Sequence, residues 1–327
     1  MTVIKIIIDV YALIVGLIIG SFLNVCIFRI PAKESIVFGS SHCMTCKNKI
    51  EWYDLVPVFS YIFLRGKCRH CKEPISIRYP LIESLTGILF LLSFVFFDFI
   101  KSDGSFVPEA FIKALIFCAF FSVLIVVSMI DFDTMEIPDR FHLIILGLGL
   151  ISLLVLKDVS WKERLLGAVI ISVPMFVIVL FGGMGAGDAK LMAVSGLMLG
   201  AKAIVIAFFI GVICAAVYGV IFKIKNPATE SELQEEAQGN EKAVLENAET
   251  QSIQTEALNT DAAKTDDAFA NQENKEKTEN TDNNEEFDEF NGKTPIPFGP
   301  FLSIGIAVAA FVGAPLVDWY ISSFINY

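Results

Sequence analysis

Two stretches of the sequence place carboxyl groups against apolar segments, where they could do chemistry. The stretch GMGAGDAKLM, residues 183–192, brings three glycines and Asp188 together within six positions. The stretch SMIDFDTMEIPD, residues 128–139, closes a long apolar run with Asp131. Carboxylates are costly at membrane depth and usually have a function there. We therefore take Asp131 and Asp188 as candidate catalytic residues.

Each aspartate taken alone also has an ordinary explanation. Asp188 serves equally well as the N-cap of the helix that follows it, and Asp131 as a charge at a helix end. Asp139 is likewise typical of a helix N-cap. The glycines before Asp188 add a second consideration, because Gly185 and Gly187 allow backbone conformations closed to other residues and leave room for an extended substrate strand.

The two aspartates together predict a specific reaction if the fold brings them to one membrane edge. Neighbouring carboxyl groups cannot both ionise easily, so one of them keeps a proton. The ionised group can activate a water molecule while the protonated group donates to the scissile carbonyl oxygen, which is aspartic-type peptide hydrolysis. The three histidines lie in no GxSxG or HExxH context, so no competing protease motif is present in the sequence.

The composition places these residues in a membrane protein. Hydrophobic residues make up 54% of the 327 positions, and the mean hydropathy is +0.63. Apolar runs of about 20 residues are long enough to cross a bilayer as helices. The sequence therefore predicts an all-α polytopic membrane protein with a retained first helix and about eight transmembrane helices, at 3–28, 81–99, 110–130, 141–156, 163–181, 188–200, 203–222 and 298–322.

The distribution of charge predicts the orientation in the membrane. The net charge of −11 comes from residues 226–290, which hold 19 Asp and Glu and 4 Lys (a net of −15), so the rest of the chain is +4. Nine Lys and Arg lie in the loop 29–80, and an excess of basic residues marks cytoplasmic loops. Alternation of the spans then puts both aspartates at the cytoplasmic edge.

The same features divide the chain into five parts. The acidic stretch is poor in aromatic residues and is expected to be disordered, because it cannot bury enough apolar surface to fold. The predicted parts are a first transmembrane helix (1–28), a cytoplasmic four-cysteine domain (29–80), a transmembrane peptidase core (81–225), the acidic cytoplasmic insert (226–293) and a last transmembrane helix (294–327).

Four of the seven cysteines form two CxxC pairs in the basic loop. The pairs are Cys43 with Cys46 and Cys68 with Cys71, separated by 21 residues. Four thiolates with this spacing are typical of a closed tetrahedral zinc site that folds a small domain. Disulfides are disfavoured in the reducing cytoplasm, and redox-active or unrelated thiol pairs are the alternative.

These motifs, in this order, resemble the bacterial type IV prepilin peptidases, which combine leader peptidase and N-methyltransferase activities and belong to the GxGD aspartic membrane proteases. The resemblance covers nearly the whole chain outside 226–290. The matching stretches are GLIIGSFLNVCIFRIP (16–31), the four-cysteine region 42–87, IDFDTMEIPD (130–139), GMGAGDAKL (183–191) and IPFGPFL (296–302). The long acidic insert departs from the usual pattern of the family.

The resemblance implies a function for each part. Asp131 and Asp188 correspond to the catalytic pair, and the substrate is a prepilin or pseudopilin of the bacterial plasma membrane, cut after a glycine that ends a short basic leader. S-adenosylmethionine then methylates the new N-terminus, usually a phenylalanine. The implied partners are these substrates and the lipid bilayer, with no nucleic acid, and the oligomeric state stays open. The alternatives are a peptidase without methyltransferase activity and a non-catalytic zinc-knuckle scaffold.

Overall fold

The computed structural model of the protein describes residues 2–101, 105–182, 184–225 and 297–324. The acidic insert, whose disorder is predicted above, and Gly183 lie outside the described residues. Within them the chain is helical and forms no sheet, so the predicted fold class is confirmed. The described residues up to 217 and those of 297–324 form one compact unit, whereas residues 218–225 do not belong to it.

Ten α-helices are present in the described part of the chain, together with a short 3₁₀ turn at Trp52–Leu55. The helices are α1 (Thr2–Arg29), α2 (Phe59–Phe63), α3 (Arg78–Phe96), α4 (Pro108–Thr134), α5 (Asp139–Val155), α6 (Trp161–Ile170), α7 (Ser172–Leu180), α8 (Ala186–Leu199), α9 (Ala201–Lys225) and α10 (Gly299–Phe324).

Five helical segments of the described chain are long and apolar enough to cross a membrane. They are Val3–Arg29, Arg78–Phe96, Pro108–Thr134, Trp161–Leu180 and Ala201–Ile224. A predicted count of eight spans is therefore not confirmed. Helix α5 has 17 residues and α8 has 14, less than the roughly 20 that a full crossing requires, and Gly299–Gly313 of α10 is likewise a shorter apolar segment. The chain is a multi-pass membrane protein whose shorter helices pack among the longer ones.

Helix α8, which carries Asp188, has 14 residues, of which nine are buried. It packs against α5, α6, α7 and α10. Its contact with α6 is a crossing of two glycines: a Cβ atom built on Gly196 would lie 2.1 Å from the carbonyl oxygen of Gly167. Because neighbouring helices cover it so closely, a helix too short to span the bilayer can still be held at membrane depth.

The two helix ends that carry the aspartates follow from local sequence. Helix α4 stops at Met135, which adopts a left-handed backbone conformation (φ 55°), and Pro138 then prevents the helix from continuing. The predicted caps are wrong in detail. Asp139 is the first residue of α5 after the cap residue Pro138, and Asp188 lies in the first turn of α8 after the cap residue Gly185.

A buried arginine binds the C-terminal end of α8. The Arg164 guanidinium, 1% exposed, donates to the Ser152 hydroxyl (2.6 Å) and to the Met198 carbonyl oxygen (2.7 Å), and pairs with Asp158 at 3.0 Å. Lys113 also pairs with Asp158. These contacts make the connection between α5 and α6 a junction of α4, α5, α6 and α8.

Candidate active site

Asp131 lies in the last turns of α4 and is buried within the unit, with 5% of its surface exposed. Its Oδ2 atom accepts a hydrogen bond from the backbone N–H of Gly299, at 3.0 Å. Gly299 is the first residue of α10 and follows Asp131 by 168 positions. The carboxyl group of α4 is therefore held by the beginning of the last helix.

Asp188 reaches the same region from α8 and is 9% exposed. Gly187, the residue before Asp188, packs against Ile137, which lies just after the end of α4. The Oδ1 atom of Asp188 is buried and has no hydrogen-bond partner within the described part of the chain. The structure thus brings together the two stretches that carry the predicted aspartates, from separate helices.

Of the two glycines before Asp188, only Gly187 contributes close packing. Gly185 has an extended backbone (φ −69°, ψ 137°) that any residue can adopt, so the predicted need for special conformational freedom is wrong at this position. Gly187 lies within α8, where a Cβ atom would be 3.2 Å from the Cβ atom of Ile137. Their role in admitting a substrate strand stays a prediction.

A small polar network ties α5 to the first turn of α8. The Nε2 atom of His142 donates to the carbonyl oxygen of Gly187, the residue before Asp188, at 3.1 Å. Lys190 pairs with Asp139 at 2.7 Å. These contacts were not predicted from the sequence, although Asp139, Gly187 and Lys190 lie in the two motifs that carry the aspartates and His142 follows the first motif by three positions.

A second pair connects the basic loop to the end of α4. Both terminal nitrogens of the Arg78 guanidinium bind the Asp133 carboxylate, at 2.8 Å and 2.6 Å. The same guanidinium stacks on the ring of Phe28, 5.5 Å from its centroid, and contacts the Met129 carbonyl oxygen. Arg78 begins α3, directly after the four-cysteine loop, so the loop and Asp131 lie at the same end of the bundle.

The four predicted metal ligands form one cluster. The Sγ atoms of Cys43, Cys46, Cys68 and Cys71 all lie within 4.8 Å of one another, and those of Cys43 and Cys71 are 3.8 Å apart. A tetrahedral site with Zn–S bonds of about 2.3 Å requires S–S separations of about 3.8 Å, so the residues fit zinc.

The surroundings of the cluster also favour a metal. Backbone N–H groups of Cys46 and Thr45 donate to the Cys43 thiol and lower its pKa to about 6, which gives a thiolate, the form that binds metals, at neutral pH. On the loop surface, Arg69 donates two hydrogen bonds to the Asp54 carboxylate and lowers its pKa. Because Arg69 lies between Cys68 and Cys71, this pair joins the second CxxC pair to the segment at Asp54.

One cavity beside the loop does not suit S-adenosylmethionine by its lining. It has a volume of about 560 Å³ and lies between α1 and the segment 52–59. Its walls are apolar apart from two serines, Ser21 and Ser41, and it presents no charged side chain to the sulfonium, amino or carboxylate groups of that cofactor. This cavity therefore offers no charged partner to the methyl donor.

Taken together, the fold and the site define a multi-pass helical membrane protein with two buried carboxyl groups and a four-cysteine domain. Comparison with known families gives the same result by sequence. Residues 14–97 match the bacterial peptidase A24 N-terminal domain, and residues 118–220 match the type IV leader peptidase family.

Two relatives match this chain in sequence over most of their own length. A prepilin leader peptidase/N-methyltransferase of Bacillus subtilis is 34% identical over 63% of this chain and 79% of its own. A protein of the same name from Xanthomonas campestris is 30% identical over 94% of this chain and 92% of its own. No solved structure matches the chain.

The chain therefore belongs to the type IV prepilin peptidase family, as the sequence motifs predict. It is an enzyme with peptidase and methyltransferase activities, which excludes the non-catalytic scaffold and argues against a peptidase that lacks methyl transfer.

Proposed function

We propose that Asp131 and Asp188 are the catalytic residues of an aspartic endopeptidase. The observation that carries this proposal is the burial of two carboxyl groups on α4 and α8, in stretches that contact each other through Gly187 and Ile137. Among the described residues, Oδ1 of Asp188 has no hydrogen-bond partner. Buried ionisable groups in a membrane protein are expected to face a functional site.

In the proposed reaction one carboxyl group is ionised and the other is protonated. The carboxylate takes a proton from water as the water oxygen attacks the scissile carbonyl carbon, and the carboxylic acid gives its proton to the carbonyl oxygen. When the tetrahedral intermediate collapses, the C–N bond breaks, the leaving amine takes the proton held by the first aspartate, and the second aspartate regains its own. No covalent enzyme intermediate forms.

The proposed substrate is a prepilin or pseudopilin with a basic leader, a glycine before the cut and an apolar helix after it. Such a helix would lie in the bilayer while its leader stayed in the cytoplasm, so the scissile bond would fall at the membrane edge. The nine basic residues of 29–80 favour a cytoplasmic position for this loop. Since Arg78 joins the loop to the end of α4, both aspartates would face the same compartment.

Methylation of the new N-terminal residue, usually phenylalanine, is proposed as the second activity, with S-adenosylmethionine as donor. We assign zinc a structural role in the four-cysteine domain, because four thiolates leave no open coordination position for a substrate.

The peptidase proposal is tested with Asp131→Asn and Asp188→Asn, which keep the size of each side chain and remove its ability to ionise. Each purified variant should stay folded in detergent and lose prepilin cleavage by at least about a thousandfold. The matched control is Asp98→Asn, an aspartate whose side chain is exposed and pairs with Lys5; this variant should cleave like the wild type.

A further inference from the structure

The beginning of α10 contacts the candidate catalytic centre directly. The N–H group of Gly299 belongs to the first turn of that helix, where backbone N–H groups have no partner within the helix. It donates instead to Oδ2 of Asp131. The positive end of the helix dipole adds to the attraction for a carboxylate at this point.

Residue 299 must be a glycine because there is no room for a side chain beside Asp131. A Cβ atom built on Gly299 would lie 2.5 Å from Oδ2 and 2.9 Å from Cγ of Asp131, closer than real Cβ atoms approach other atoms. Its backbone is not among those with positive φ, so the requirement is for room and not for an unusual conformation. Any side chain here would push the carboxyl group of Asp131 away from its position.

The contact makes the two aspartates unequal. Asp131 has one oxygen anchored by a donor from α10, whereas Oδ1 of Asp188 has no partner in the described residues. A backbone N–H can only donate, so Oδ2 of Asp131 serves as an acceptor. One carboxyl group is thus fixed by the fold while the other keeps a free oxygen.

We propose that Gly299 is a positioning residue for catalysis, whose amide and missing side chain set the place of the Asp131 carboxyl group. This inference rests on the proposed function. It also gives the stretch PFGPF at 297–301 a role at the active site, although it lies far from both aspartates in the sequence. A misplacement of about 1 Å in a catalytic group can cost about a hundredfold in rate.

The test is Gly299→Ala, with Gly147→Ala as the matched control, since a Cβ atom on Gly147 in α5 meets nothing within 4 Å. We expect kcat for prepilin cleavage to fall about a hundredfold in Gly299→Ala while KM changes by less than about threefold. Methyl transfer to a pilin that has already been cleaved should stay at the wild-type level. Gly147→Ala should match the wild type in both assays.

An unchanged kcat in Gly299→Ala would overturn the inference, and so would an equal loss of cleavage and methyl transfer, which would indicate a general folding defect. If Gly299→Ala cannot be purified, hydrogen exchange of the Gly299 amide in variants of the two aspartates tests the contact between Gly299 and Asp131. The Gly299 amide should exchange faster in Asp131→Ala than in the wild type and in Asp188→Ala, and equal exchange in all three would reject the contact. Full cleavage by the Asp131 and Asp188 variants would instead defeat the peptidase proposal itself.

Discussion

At the scale of single residues, the candidate centre depends on side chains and amides that the motifs alone do not identify. The sequence nominates Asp131 and Asp188 because carboxyl groups are rare at membrane depth. Their supports come from elsewhere: Gly299 from the last helix and His142 from α5. Such partners join distant parts of the chain, so neither spacing nor periodicity reveals them.

The hydrogen bond from His142 to the Gly187 carbonyl oxygen gives a prediction at this scale. Replacing His142 with Leu would remove this part-buried hydrogen bond and leave the Gly187 carbonyl with only a donor from its own helix, which should lower the free energy of unfolding by about 0.5–1.5 kcal/mol. Equilibrium unfolding in mixed detergent micelles measures the change. His142→Gln keeps an N–H donor near the position of Nε2 and is the control that should recover most of the loss. Equal stability of wild type and His142→Leu would show that the bond contributes nothing.

At the scale of elements, the sequence predicts the long helices well and the short ones poorly. Apolar runs such as 3–28 and 110–130 correspond to α1 and α4 because a long hydrocarbon-length stretch has no other stable form in a bilayer. The end of α4 near Asp131 is also predictable from Pro138. The position of α8 is not, because a 14-residue helix is held at depth by neighbours such as α6, through a contact between Gly167 and Gly196.

The four-cysteine domain is the element whose prediction rests most simply on spacing. Two CxxC pairs predict a single metal cluster, and the structure brings all four Sγ atoms within 4.8 Å. Replacing the four cysteines with serine should remove one equivalent of zinc and unfold the loop, since the loop has few buried apolar residues of its own. Metal analysis of the purified protein and limited proteolysis of the loop measure these effects. Cys214→Ser, far from the pairs in sequence, should keep its zinc; one full equivalent in the quadruple variant would contradict the assignment.

At the scale of the whole molecule, the account requires that the basic loop and both aspartates face the cytoplasm. Arg78 joins the loop to the end of α4, so the position of the loop fixes that of Asp131. The orientation of the protein in the membrane is inferred from the distribution of Lys and Arg among its loops. The family membership, by contrast, follows from motifs that span the chain and from relatives that match most of its length.

Orientation is testable with single cysteines added at exposed positions at the two predicted faces. A membrane-impermeant maleimide should label Glu51→Cys, in the basic loop, in inverted vesicles whose cytoplasmic face points outward. It should not label Lys157→Cys, between α5 and α6, until the vesicles are opened with detergent. The reverse pattern in sealed vesicles would place the loop outside the cytoplasm and remove the basis for a cytoplasmic cleavage site.

Mass spectrometry of a candidate prepilin tests whether the aspartate pair cleaves prepilins. The prepilin is incubated with the purified enzyme, with and without S-adenosylmethionine. The account predicts loss of the leader after its glycine, a further mass gain of one methyl group only when the donor is present, and no leader loss with Asp131→Asn or Asp188→Asn. Leader removal at the wild-type rate by both variants would contradict it.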